Sequence, residues 1–234
     1  MSFENVIECK DLTKKYDNKS ALNKINLSIP KGSIVGLLGP NGSGKTTLLK
    51  LAAGLLTPTF GEITVCGYKP GVESKLNVAY QPDRVYINDW MNVNNLIQMM
   101  ADFFSNFNKD KAFEMLHSLN IEPEQKLNAM SKGTKEKVQL IMTMSREVPL
   151  YILDEPIGGV DPAARDYILN TIINNYSEDS TVLISTHLIS DVESVLNHII
   201  FLKDGNIIRQ GDVDDIRQET GMSIDQLFRE EFKC

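Results

Sequence analysis

The sequence predicts an α/β fold organised around a glycine-rich loop, and three observations predict it. The apolar run Ile34-Val35-Gly36-Leu37-Leu38 has the length of a buried strand and leads into Gly39-Pro40-Asn41-Gly42-Ser43-Gly44-Lys45-Thr46. That loop is followed by a helical stretch, Thr47 to Ala53, closed by Gly54. Two further apolar runs of strand length, Leu150 to Leu153 and Thr181 to Ser185, each end in polar residues, Asp154-Glu155 and Thr186-His187. From Trp90 to Arg146 the periodicity turns helical, with no convincing strand.

Taken in order, Val6 to Ile29 alternate apolar and polar positions around Lys14-Lys15-Tyr16-Asp17-Asn18-Lys19, which predicts two antiparallel strands joined by a longer loop. Pro30-Lys31-Gly32 turns the chain into the Ile34 strand. After Gly54, Thr57 to Gly61 is turn chemistry, Glu62 to Val65 reads as a strand, and Cys66 falls in its pattern as a core residue. Asn77 to Tyr80 reads as a short strand; Pro82 keeps it from continuing in a central ladder and leaves Gln81 at its end. In the helical stretch Val93, Leu96, Ile97 and Met100 share one face, as do Phe113, Leu116 and Leu119. A third helix, marked by Val138, Ile141 and Met142, begins just past Ser131-Lys132-Gly133-Thr134, and Pro149 stops it. Asp161 and Pro162 have the form of an N-cap and a first helical residue for a helix to about Asn174. Phe201 to Ile208 reads as a hairpin with an Asp204-Gly205 turn. In the tail, Ser223 and Gln226 form a capping-box pair, Met222 and Leu227 a hydrophobic staple, and Ile224, Leu227 and Phe228 share a face.

Composition narrows the partners. The chain has 234 residues, 42% of them hydrophobic, enough for a full α/β core. A net charge of -7 and a pI near 5.1 argue against a broad nucleic-acid or anionic-membrane surface, so a phosphate site must be a local device. No apolar run approaches the ~20 residues that span a bilayer, and Met1-Ser2-Phe3-Glu4 lacks the pattern of a leader segment. Cys9, Cys66 and Cys234 are far apart with no metal-ligand spacing, which predicts reduced thiols in the cytosol.

The chemistry follows from the loop outward. Glycines at 39, 42 and 44 let successive N–H groups turn inward around a polyphosphate, where side chains would block the approach. Lys45 then reaches the β- and γ-phosphates, the Thr46 hydroxyl reaches Mg²⁺, and the helix N-terminus favours the negative charge. Asp154 and Glu155 end a buried strand at the edge where open α/β sheets bind ligands; one can hold a metal through its water shell and the other can orient a water. His187 reaches the same edge from another strand. Ser131 and Gly133 open a helix whose N–H groups favour an anion. Tyr16 reads either as an exposed tyrosine or as a platform for stacking a base.

These stretches, in this order, resemble the nucleotide-binding subunit of an ABC transporter from about Val6 to about Gly211. Gly39 to Thr46 is similar to Walker A, Leu150 to Glu155 to Walker B, Glu155 to Asp161 to the D-loop, His187 to the switch histidine, Gln81 to the Q-loop and Tyr16 to the adenine-stacking A-loop. The resemblance implies a P-loop NTPase (RecA-like) core with an antiparallel β subdomain and an inserted α-helical subdomain. Core and β subdomain would span about 1–88 and 147–211, the helical subdomain about 89–146, and a helical tail 212–234. It implies ATP and Mg²⁺ as ligands, with Tyr16, Gly39, Pro40, Asn41, Gly42, Ser43, Gly44, Lys45, Thr46 and Thr47 on the nucleotide. Thr46 and Gln81 would ligate the metal, with Asp154 acting through water, and Glu155, His187, Lys45 and Gln81 would be catalytic. It implies a head-to-tail dimer, with itself or with a related ATPase, in which Ser131, Lys132, Gly133, Thr134 and Asp161 serve the other subunit's nucleotide. An integral membrane permease at the inner face of the cell membrane completes the expected assembly, with no nucleic acid.

The sequence departs from that family at one place. Met130-Ser131-Lys132-Gly133-Thr134 stands where Leu-Ser-Gly-Gly-Gln is expected, keeping the serine and one glycine. Lys132 either points away or adds charge to the phosphate pocket, and the retained Ser131 and Gly133 predict near-normal ATP-driven dimerisation. The altered signature resembles bacterial subunits paired with separate membrane proteins and tied to peptide, bacteriocin or antibiotic export. A non-transport ABC ATPase serving an assembly or cell-division complex would carry the same motifs. A nucleotide sensor would not need Asp154, Glu155 and His187 together.

Overall fold

Five parallel strands of one sheet deliver their C-terminal ends to a single edge, and that edge is where the functional residues gather. The computed structural model describes residues 3–87, 89–158, 162–177 and 179–233, and the side chains of all of these but 162–164. The six-stranded sheet contains β3 (Ile34–Leu38), β5 (Val78–Gln81), β6 (Leu150–Asp154), β7 (Thr181–Thr186), β8 (His198–Lys203) and β9 (Asn206–Asp212), in the order β5-β6-β7-β3-β8-β9. All pairings are parallel except β8 with β9. Every residue of β3, β6 and β7 is buried, as strands covered on both faces must be, which explains their unbroken apolar runs.

A second sheet pairs β1 (Asn5–Tyr16) antiparallel with both β2 (Lys19–Pro30) and β4 (Phe60–Val65). The expected longer loop between β1 and β2 is absent. Pairing continues through Lys15 opposite Ser20 and Tyr16 opposite Lys19, so the turn is only Asp17-Asn18, with Asp17 at φ +50°. Lysines suit the solvated face of a two-stranded ribbon, and Asp tolerates the left-handed conformation such a turn needs. Cys66 is likewise not a strand residue: it follows β4 at φ +51° in a turn, although it is buried.

Three helices fill the region between β5 and β6: α3 (Val93–Phe103), α4 (Lys109–Ser118) and α5 (Lys132–Met144). Each opens on a polar N-cap, Asn92, Asn108 and Ser131, whose side chain accepts the N–H three residues on. Pro149 does not stop α5; the helix ends at Met144, before Arg146 turns toward β5. Around the core lie α1 (Lys45–Ala52), α2 (Val72–Leu76), α6 (Pro162–Asn175), α7 (Ile189–Val192), α8 (Val213–Thr220) and α9 (Ile224–Glu231). The tail matches its capping box: Ser223 Oγ accepts the Gln226 N–H and Gln226 Oε1 accepts the Ser223 N–H. Ile224 and Leu227 are buried, and Phe228 and Phe232 pack edge-on against Phe201 of β8.

Candidate active site

The loop between β3 and α1 is shaped by glycine where nothing larger fits. Gly44 sits at φ +112°, and a Cβ there would lie 2.5 Å from the Ala21 carbonyl oxygen. A Cβ at Gly39 would lie 2.3 Å from the Leu202 carbonyl oxygen. The backbone is therefore pinned between β2 and β8. Lys45, first residue of α1, folds back over the loop: its Nζ donates to the carbonyls of Gly39 at 2.7 Å and Pro40 at 3.3 Å, and lies 3.4 Å from Glu155 Oε1.

Asp154 ends β6 with 0% exposure. Its Oδ1 accepts the Ser185 hydroxyl at 2.6 Å and the Thr46 hydroxyl at 3.3 Å. Burial pushes this carboxyl above its ordinary range, against the pull of those two hydrogen bonds. Asp154 Oδ2 has no partner, and neither does the buried Oε1 of Gln81 at the end of β5. Glu155 leaves the strand at φ +50°, its N–H shared between the Ser185 carbonyl at 3.0 Å and Ser185 Oγ at 3.1 Å, both of which accept it. Its carboxylate lies between Lys45 and His187, with Oε2 3.0 Å from His187 Nδ1. The edge thus joins Thr46, Asp154 and Ser185 in one network and Lys45, Glu155 and His187 in another.

Ser185 was missed by the sequence reading. Its role follows from register, since Ser185 stands directly beside Asp154 across β6 and β7. A cavity of about 440 Å³ opens over these networks, with walls that include Tyr16, Asn41, Lys45, Thr46, Glu155 and Asp204. Tyr16 is 46% exposed, with Lys14 Nζ 5.3 Å from its ring centre. Tyr16 forms part of the cavity wall beside the loop.

The donor set fits a magnesium ion. Unpartnered buried oxygens on Asp154 and Gln81, with the Thr46 hydroxyl nearby, are hard ligands, and no group of three or more His, Cys, Asp or Glu able to hold a metal occurs among the described residues. One carboxylate with room for substrate phosphates is how magnesium is commonly held.

Ser131, Lys132, Gly133 and Thr134 are not part of this cavity; they form the N-terminus of α5. Ser131 Oγ lies 2.8 Å from Thr134 Oγ1 and accepts the Thr134 N–H, and Lys132 Nζ is 3.7 Å from Glu136 on its own helix. Asp161 lies outside the described residues.

Comparison with known proteins gives the family. The profile of the family described as ABC transporter matches residues 22–158. The bacitracin transport ATP-binding protein BcrA of Enterococcus faecalis is 32% identical over 227 residues, covering 93% of this chain and 73% of that protein. The SkfA peptide export ATP-binding protein SkfE of Bacillus subtilis is 30% identical over 210 residues, covering 87% and 88%. A solved structure of an ATP-binding subunit of an ABC transporter superposes with a TM-score of 0.88 at 28% identity, over 97% of this chain and 100% of that one. No helix among the described residues is long and apolar enough to cross a membrane. The chain belongs to the ABC transporter family, as one of its ATP-binding subunits.

Proposed function

We propose that this subunit hydrolyses Mg²⁺-ATP in a head-to-tail dimer and that the cycle drives export through a separate membrane permease. The observation that carries the hydrolytic reading is the pairing of two buried, unpartnered ligand oxygens, on Asp154 and Gln81, with a second carboxylate held between Lys45 and His187. A binding-only site has no use for that second carboxylate.

In this reading the loop N–H groups and Lys45 take the β- and γ-phosphates, Tyr16 stacks on adenine, and Thr46, Gln81 and Asp154 hold the magnesium. When bound, the ion supplies charge neutralisation at the phosphate oxygens. Glu155 accepts a proton from the attacking water, while His187 orients Glu155 and the γ-phosphate. Lys45 offsets charge as the terminal phosphoryl group separates, so the chain contributes by position and electrostatics. Ser131, Gly133 and Asp161 act on the nucleotide of the other subunit, and that partner is a second copy or a related ATPase.

Coupling to a permease is supported by a mostly apolar groove of about 520 Å³ where the helical region meets the sheet, lined by Leu55, Tyr80, Tyr86, Met100 and Phe104 among others. Export is supported by the likeness to SkfE and BcrA and by the altered signature. The proposed division has the core at about 1–88 and 147–211 and the helical unit at 89–146. The experiment is Glu155→Gln: turnover should fall at least ~10³-fold with ATP binding retained, as for loss of a group acting in the transition state. Appreciable remaining hydrolysis would remove Glu155 from that role.

A further inference from the structure

Gln139 lies inside α5 with 2% exposure, and the hydrolytic reading above does not use it. Its amide is devoted to the backbone just beyond Gln81. Oε1 accepts the Tyr86 N–H at 3.0 Å, and Nε2 donates to the carbonyls of Pro82 at 3.3 Å and Arg84 at 3.4 Å. Residues 82–86 form neither helix nor strand, so this amide replaces the ladder that would otherwise fix them. A buried amide satisfied at both ends holds its partners as firmly as itself, because freeing either end leaves polar groups unpaired away from water.

The same helix grips the other end of β5. Arg146, just past its C-terminus, donates to the carbonyls of Val78 at 2.6 Å and Leu76 at 3.1 Å and lies 4.0 Å from the centre of the Phe104 ring. The strand held between these two grips ends in Gln81, whose Oε1 faces no protein partner. At its N-terminus α5 carries Ser131 and Gly133.

We infer that Gln139 is a positioning residue, whose amide fixes Gln81 relative to α5 so that the cavity over Asp154 and the Ser131–Thr134 end of the helix shift together. Residue chemistry at 139 is restrictive: methionine makes none of the three bonds, and glutamate would turn an oxygen toward the carbonyls of Pro82 and Arg84. The inference rests on the reading of Gln81 as part of the hydrolytic site.

The test compares Gln139→Met and Gln139→Glu in the full chain, with and without Gln81→Ala. Leu116→Ala, a truncation of a buried residue of α4, serves as the reference for stability loss alone. Without nucleotide, the Tyr86 amide should exchange its hydrogen at least ~10-fold faster in Gln139→Met. The kcat for ATP should fall ~10-fold with KM held within ~2-fold. Gln81→Ala should absorb the effect, since residues acting through one another are not additive. The inference is overturned by an unchanged kcat, by a loss equal to that of Leu116→Ala, or by the same fractional loss with and without Gln81. Hydrolysis that is absent from the unaltered chain, or indifferent to Gln81→Ala, overturns the hydrolytic reading and this inference with it. Loss with Gln81→Ala but not with Gln139→Met overturns this inference alone.

Discussion

Replacing Ser185 by alanine removes one oxygen from beneath the site and nothing from its walls. The hydroxyl donates to Asp154 Oδ1 at 2.6 Å in a fully buried setting, the short distance of a bond to a charged acceptor. The Glu155 N–H also loses its bond to Ser185 Oγ at 3.1 Å but keeps the Ser185 carbonyl at 3.0 Å, so it stays satisfied and the loss that matters falls on Asp154. Asp154 is left with Thr46 at 3.3 Å, its other oxygen already lacking a protein partner. A hydrogen bond to a charged group is worth about 1.5–3 kcal/mol, which predicts a loss of roughly 10- to 100-fold in kcat/KM for Mg²⁺-ATP. Removing the bond also lifts the Asp154 carboxyl further, so more magnesium should be needed to reach half-maximal rate. Initial rates across a magnesium series at fixed ATP, with a thermal melt to confirm folding, provide the assay. A kcat/KM within ~2-fold of the unaltered chain, with the same magnesium midpoint, would refute the reasoning that Ser185 holds Asp154 for the metal.

Two further expectations concern the frame. Arg146→Met strips the guanidinium from the carbonyls of Val78 and Leu76 and from Asn106 Oδ1. Burial pushes that guanidinium down to about 10, so relief of the burial cost offsets part of the loss. A net cost of about 2 kcal/mol remains, or a melting temperature lower by roughly 4–8 °C in calorimetry; an unchanged melt would remove Arg146 from its bracing role. Glu193 is part-buried, which raises its carboxyl, but the Arg217 hydrogen bond and the N–H groups of Ile224 and Asp225 together hold it below the usual 4.5. With the folded value depressed, its contribution is complete above pH 4.5 and is lost as pH falls below that through the folded value. Urea denaturation should show this loss as pH falls below 4.5, and Glu193→Gln should cost about 1 kcal/mol at pH 7 and flatten the acid limb.

What could be read from the sequence was what one contiguous stretch carries by itself. The loop from Gly39 to Thr46 declares its chemistry because the glycines, Lys45 and Thr46 are all in one run, and the ends of β6 and β7 were found because their apolar runs are unbroken. Ser185 was not legible: within Thr-Val-Leu-Ile-Ser-Thr it is an ordinary strand residue until the pairing of β6 with β7 places it beside Asp154. Gln139 was hidden for the same reason, since its partners lie more than fifty residues away in the chain. The β1–β2 turn was misread because lysines on a solvated ribbon look like loop composition. α2 and α7 are too short for periodicity to register. α8 did carry a signal, Gly221 in the left-handed conformation closing a helix that opens after Asp212.

The left-handed backbone at Glu155 bears on how two neighbouring carboxylates come to do different work. In a continued strand, side chains 154 and 155 would project to opposite faces of the sheet, and the second would be carried away from the edge. The chain instead turns at the Glu155 φ torsion, just after the last ladder bond, so one carboxylate stays insulated under Thr46 and Ser185 while the next stands in the cavity wall between a lysine and a histidine. A single torsion therefore separates an insulated acid from an accessible one across one peptide bond.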